Sequence, residues 1–104
     1  MKQFRANQAG TFAFTANGSS QNAALPGGGG LFFRLENAGP QIVFCELTAN
    51  ANLAAQVPTA NVGGGFPVFA NQPALYSMAK AGDTNLAFIS AGNSTLYVTR
   101  GDSI

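Results

Sequence analysis

Residues 85–100 read NLAFISAGNSTLYVTR. Leu86, Phe88, Leu96 and Val98 fall on alternate positions, the period-two pattern of strands with one face in a core. Between the two runs stands Ala91-Gly92-Asn93-Ser94, and a similar turn, Ala81-Gly82-Asp83-Thr84, precedes the first of them. A Gly–Asn or Gly–Asp pair tolerates positive φ, so a tight reversal costs little there. Two short apolar strands, each led by its own turn, set the expectation for the rest of the chain.

Working outward, residues 11–16 (TFAFTA) alternate Phe12 and Phe14 with small residues and run into Asn17-Gly18, a strong turn signal. Residues 31–37 (LFFRLEN) set Leu31, Phe33 and Leu35 against Phe32, Arg34 and Glu36. Ala38-Gly39-Pro40 closes that run, and residues 41–48 form the next, so the pair reads as a hairpin. Residues 66–70 and 74–79 are further strand candidates. Residues 50–56 (NANLAAQ) favour a helical turn that Pro58 would end. Gly27 to Gly30 and Gly63 to Gly65 are loops. Thr-Ala-Asn recurs at 15–17, 48–50 and 59–61 with irregular spacing, which is repeated turn chemistry and not a duplicated unit. The expected fold is all-β: a single β-sandwich or small jelly roll of about seven to eight short antiparallel strands over residues 11–104, with residues 1–10 as an N-terminal arm.

Composition limits the chemistry. Five Lys or Arg and four Asp or Glu make the chain 9% charged, against roughly 25% in an ordinary soluble domain. There is no His and no Trp, and a single Cys, Cys45. General acid–base catalysis and metal binding draw on the residues that are scarce here, so no enzyme, cofactor or metal site is expected. The net charge of +1 is scattered, which leaves no basic footprint for nucleic acid. Nine Phe and two Tyr argue against disorder. No apolar run approaches a membrane span, and Lys2 and Arg5 are followed by polar residues and not by a signal-peptide core. Cys45 lies in Ile42-Val43-Phe44-Cys45 and reads as a small buried hydrophobe.

The remaining motifs have plain structural readings. Gly27 to Gly30 leads into Leu31 and Phe32, not the Lys and hydroxyl of a phosphate loop. Glu36 and Glu46 lie on different expected strands, and Asp83 caps its own turn. Arg100-Gly101-Asp102 matches the integrin tripeptide, but its simplest reading is a strand ending at Arg100 with Gly101 turning the chain. Residues 1–10 hold two of the five basic residues and one Phe, so Lys2, Phe4 and Arg5 are candidate contacts for an arm that orders against a neighbour. Phe32, Tyr76 and Tyr97 are candidate aromatic platforms for a carbohydrate.

Residues 84–102 (TNLAFISAGNSTLYVTRGD) resemble the C-terminal end of small structural proteins of tailed bacteriophages. There, a strand ending in Ile-Ser/Ala is followed by a Gly-containing turn and a closing strand that ends Thr-Arg/Pro-Gly-Glu/Asp. Residues 33–40 (FRLENAGP) resemble the arginine–aliphatic–x–Asn–x–Gly strand and turn of that group, and residues 67–73 (PVFANQP) its Pro-led stretch before a strand. Residues 27–30 and 50–65 have no counterpart. The resemblance implies a non-enzymatic virion component, made in the host bacterial cytoplasm and placed on the capsid surface. Its role would be that of a capsid decoration (cement) protein, homo-oligomeric and trimeric, whose partner is the major capsid protein. A neck, tail or head-fibre component that binds a host surface or carbohydrate is the alternative.

Overall fold

The computed structural model describes residues 3–103, and among them there are eight strands and no helix. They are β1 (Phe4–Ala16), β2 (Gln21–Ala24), β3 (Phe32–Asn37), β4 (Val43–Thr48), β5 (Phe66–Val68), β6 (Leu75–Met78), β7 (Asn85–Ser90) and β8 (Ser94–Ser103). Sheet A runs β1-β8-β3-β6 and sheet B runs β2-β7-β4-β5, with every pairing antiparallel.

The pairings are nested. β4 pairs with β5, β3 with β6, β2 with β7 and β1 with β8. The chain is therefore one long hairpin whose two halves run antiparallel. Bending that ribbon round a core brings β8 against β3 and β7 against β4, which completes both sheets. This is the jelly-roll strand order. The expected all-β sandwich is the observed one.

Phe33, Leu35, Leu96 and Val98 of sheet A meet Val43, Cys45, Leu86 and Phe88 of sheet B in a core where none is more than 2% exposed. The alternation read in residues 85–100 and in 31–37 is the inward face of β7, β8 and β3.

The expected hairpin of residues 31–37 and 41–48 is corrected. Both strands form, but β3 belongs to sheet A and β4 to sheet B. Gly39, at φ 89°, and Pro40 carry the chain across the core. Phe33 and Leu35 of one strand and Val43 and Cys45 of the other are buried apolar residues, and opposing them across the core buries more surface than placing them side by side.

Four further differences have local causes. Residues 4–10, expected as an arm, belong to β1: Phe4, Arg5 and Ala6 pair with Ser103, Asp102 and Gly101. A register shift between Ala6 and Thr11 hides the period of this stretch in the sequence. β2 was not expected, because QNAA has no apolar alternation; its ladder with β7 supplies the order. Residues 50–56 are not helical, since Asn50 Oδ1 accepts from Asn52 N at 2.9 Å and the carbonyls of Asn50 and Leu53 accept from Asn22 Nδ2. Gly101 does not turn the chain. β8 continues to Ser103, and Gly101 is buried between Ala6 and Phe32, where a Cβ would collide with the Arg5 carbonyl.

Candidate contact surface

Because Phe33 and Leu35 point inward, Phe32, Arg34 and Glu36 point out from sheet A. Their cross-strand partners follow them: Phe32 lies opposite Met78, Arg34 opposite Tyr76, and Glu36 opposite Tyr97. The three candidate platforms, Phe32, Tyr76 and Tyr97, thus share one face, although they come from three strands. Met78 is 65% exposed and Tyr76 55%.

Phe4 completes this surface. Its ring lies over Gly101, with its centroid 5.4 Å from that of Tyr76 and 5.7 Å from the Arg34 guanidinium carbon. Arg34 Nε is 3.3 Å from Glu36 Oε1, in an ion contact without hydrogen-bond geometry. A half-exposed pair without a hydrogen bond contributes little to stability. The outer face is an aromatic and thioether patch round one cation. Of the candidate arm residues, Phe4 packs on this face, Arg5 stands opposite Asp102 in the sheet, and Lys2 lies outside the described residues. Met78 went unremarked in the sequence, although its place two residues after Tyr76 was the available signal.

The other motifs close the sandwich. Arg100 points inward at one end. Its guanidinium carbon sits 5.3 Å from the Phe33 ring centroid, Nε donates to Gly30 O at 2.8 Å, and Nη1 donates to Pro26 O at 3.0 Å. Asn7 Nδ2 donates to Gly29 O at 2.8 Å. The loop from Pro26 to Gly30 is thus tied down at three carbonyls, and the Arg-Gly-Asp string is part of a strand. At the other end, buried Asn37 donates to Gln41 O and Val68 O and accepts from Gly39 N and Ser94 Oγ.

Glu36 and Glu46 lie in different sheets and form no pair. Asp83 does cap its turn, accepting from Lys80 N at 2.9 Å. Cys45 is buried, and desolvation pushes its thiol up to about 12. Among the described residues no three His, Cys, Asp or Glu side chains gather as a metal site requires, and no helix is long and apolar enough to cross a membrane. Comparison with protein-family models, curated proteins and solved structures gave no match.

Proposed function

We propose that this chain is a structural virion protein of a tailed bacteriophage, a capsid decoration (cement) protein that binds the major capsid protein through the outer face of sheet A. The observation that carries this reading is that face itself. Exposed Met78 and Tyr76, with half-buried Phe32 and Phe4 beside them, present an apolar surface on a chain with only nine charges, five basic and four acidic. Exposed apolar patches rimmed by polar groups mark contact sites. Scarce charge lowers the electrostatic cost of packing against another protein. The jelly roll is an architecture used in viral capsids, and the sequence resemblance points the same way. The protein would act by contact and not by catalysis. Many copies make weak contacts effective through avidity, and a trimer suits a local threefold axis of a shell.

The test is co-sedimentation with undecorated capsids of the encoding phage. A Tyr76→Glu, Met78→Glu double variant is expected to keep its melting temperature and lose binding. Undiminished binding would eliminate this face as the anchor.

One observation favours the second reading, a neck, tail or head-fibre module that binds carbohydrate. Phe4 and Tyr76 lie beside the polar head of Arg34, as sugar platforms set aromatics beside polar groups. Glycan-array binding that is lost in Tyr76→Ser, with the chain found on tails in purified particles, would select it.

A further inference from the structure

The four sheet edges differ in how they are protected. β5 is three residues long and contains Pro67, which has no N–H to offer. β2 is four residues long, and the segment after β4 is fastened to it by Asn22 Nδ2 donating to Asn50 O and Leu53 O, with Ala55 N donating to Ser20 Oγ beside it. β6 is four residues long and is followed by Lys80. β1 is thirteen residues long and has β8 as its only neighbour in the sheet. From Ala6 to Ala16 it contains no charge and no proline. Natural sheets usually blunt such an edge with Lys, Pro or brevity, because its unpaired N–H and C=O groups template another strand.

The regular part of that edge is Thr11-Phe12-Ala13-Phe14-Thr15, which reads the same in both directions. Thr11, Phe12, Ala13 and Thr15 are exposed, and Phe12 keeps 40% of its surface although it points to the core side. A two-fold axis through Ala13 would set Thr11 opposite Thr15, Phe12 opposite Phe14 and Ala13 opposite Ala13 of a second copy. Both phenylalanines of each copy stay on the core side, and both threonines on the outer side. Every cross-strand pair is then apolar with apolar or hydroxyl with hydroxyl, and no like charges meet.

We infer that the β1 edge is a self-association site at which two copies of this chain pair antiparallel through residues 11–15, joining their A sheets into one. The occupant is a second copy because the palindrome complements itself. The contact is smaller than the roughly 1,200 Å² at which standard interfaces begin, so it forms a concentration-dependent dimer. It rests on β1 alone and not on the virion reading. Being two-fold, it is separate from a threefold arrangement on a capsid.

The experiment is sedimentation equilibrium of the full chain together with register-specific crosslinking. Wild-type chain is expected to dimerise as concentration rises. Ala13→Lys, which sets two cations face to face at the axis, should weaken dimerisation roughly tenfold or more with an unchanged circular dichroism spectrum. Mixing Ala13→Lys with Ala13→Asp chain should restore it. Under mild oxidation Ala13→Cys should form a crosslinked dimer, since directly opposed residues stand about 4.5–5.5 Å apart, within disulfide range. Thr15→Cys should not, because its counterpart is four residues along the strand, about 13 Å away. Buried Cys45 stays silent in both variants. A chain that stays monomeric at about 1 mM overturns the inference. So does an oligomer insensitive to Ala13→Lys, or crosslinking equal at positions 13 and 15. If the lysine variant does not fold, the two cysteine variants decide.

Discussion

The two ends of the sandwich solve the same problem with different chemistry. Each must satisfy carbonyls of a connecting loop where the sheets stop. At one end the charged fork of Arg100 reaches Pro26 O and Gly30 O across the Phe33 ring. At the other, Asn37 is 3% exposed and uses both its donor and its acceptor, holding Gln41 O, Val68 O, Gly39 N and Ser94 Oγ. A partly exposed cation keeps some hydration and tolerates imperfect partners. A buried amide does not, because each group it abandons is left dry. The amide end should therefore be the more brittle of the two.

The largest expected effect is at that end. Asn37→Leu, with the same branching but no polar atoms, takes a partner from Val68 O and Gly39 N and leaves Gln41 O and Ser94 Oγ to each other, and should cost on the order of 3 kcal/mol in chemical denaturation. A cost below that of the arginine variant would reverse the ranking of the ends. Arg100→Ala is next, at about 2 kcal/mol from lost carbonyl bonds and ring contact. Arg100→Lys should recover only part of this, since an ammonium cannot span both carbonyls as the fork does.

Between the ends lies the dry middle, and Cys45 reports on it. Burial pushes its thiol from the ordinary value near 9.0 up to about 12, and unfolding returns it to water. Above pH 9 the unfolded chain loses this proton first, so stability falls as pH rises, by up to about 1.4 kcal/mol per unit, until the folded thiol also ionises. Cys45→Ala should cost about 1 kcal/mol at neutral pH and remove this component of the alkaline loss, measured as the difference between the two stability–pH curves. Parallel curves would mean that the middle is wetter than its burial implies. The smallest effect on stability is expected on the outer face, where Tyr76→Ser should change the melting free energy by no more than about 0.5 kcal/mol. A larger loss would make the Phe4–Tyr76 contact structural and weaken its case as a docking surface.

Much of this could be read before the fold was known. Strands β3, β4, β7 and β8 were evident because period-two burial writes itself into the order of residues, as Leu86, Phe88, Leu96 and Val98 demonstrate. The candidate surface was half visible, since Phe32, Tyr76 and Tyr97 stood out as aromatics at outward positions. That they share a face with Phe4 and Met78 depended on pairings between strands far apart in the chain. β2 and the first part of β1 escaped because QNAA has no pattern and the shift between Ala6 and Thr11 breaks the one around it. Arg100 misled in another way. A tripeptide looks exposed on paper, yet its guanidinium is held by carbonyls more than sixty positions away.

Composition settled the poverty of reactive groups, and local alternation and turn residues settled the all-β class, most of the strands and the apolar residues they turn inward, because these depend on neighbours in the chain. Which sheet each strand joins, which edge is left open and which aromatics meet were settled only when the nested ribbon wrapped round its core. Alternation says which side of a strand is dry. It does not say which other strand dries it.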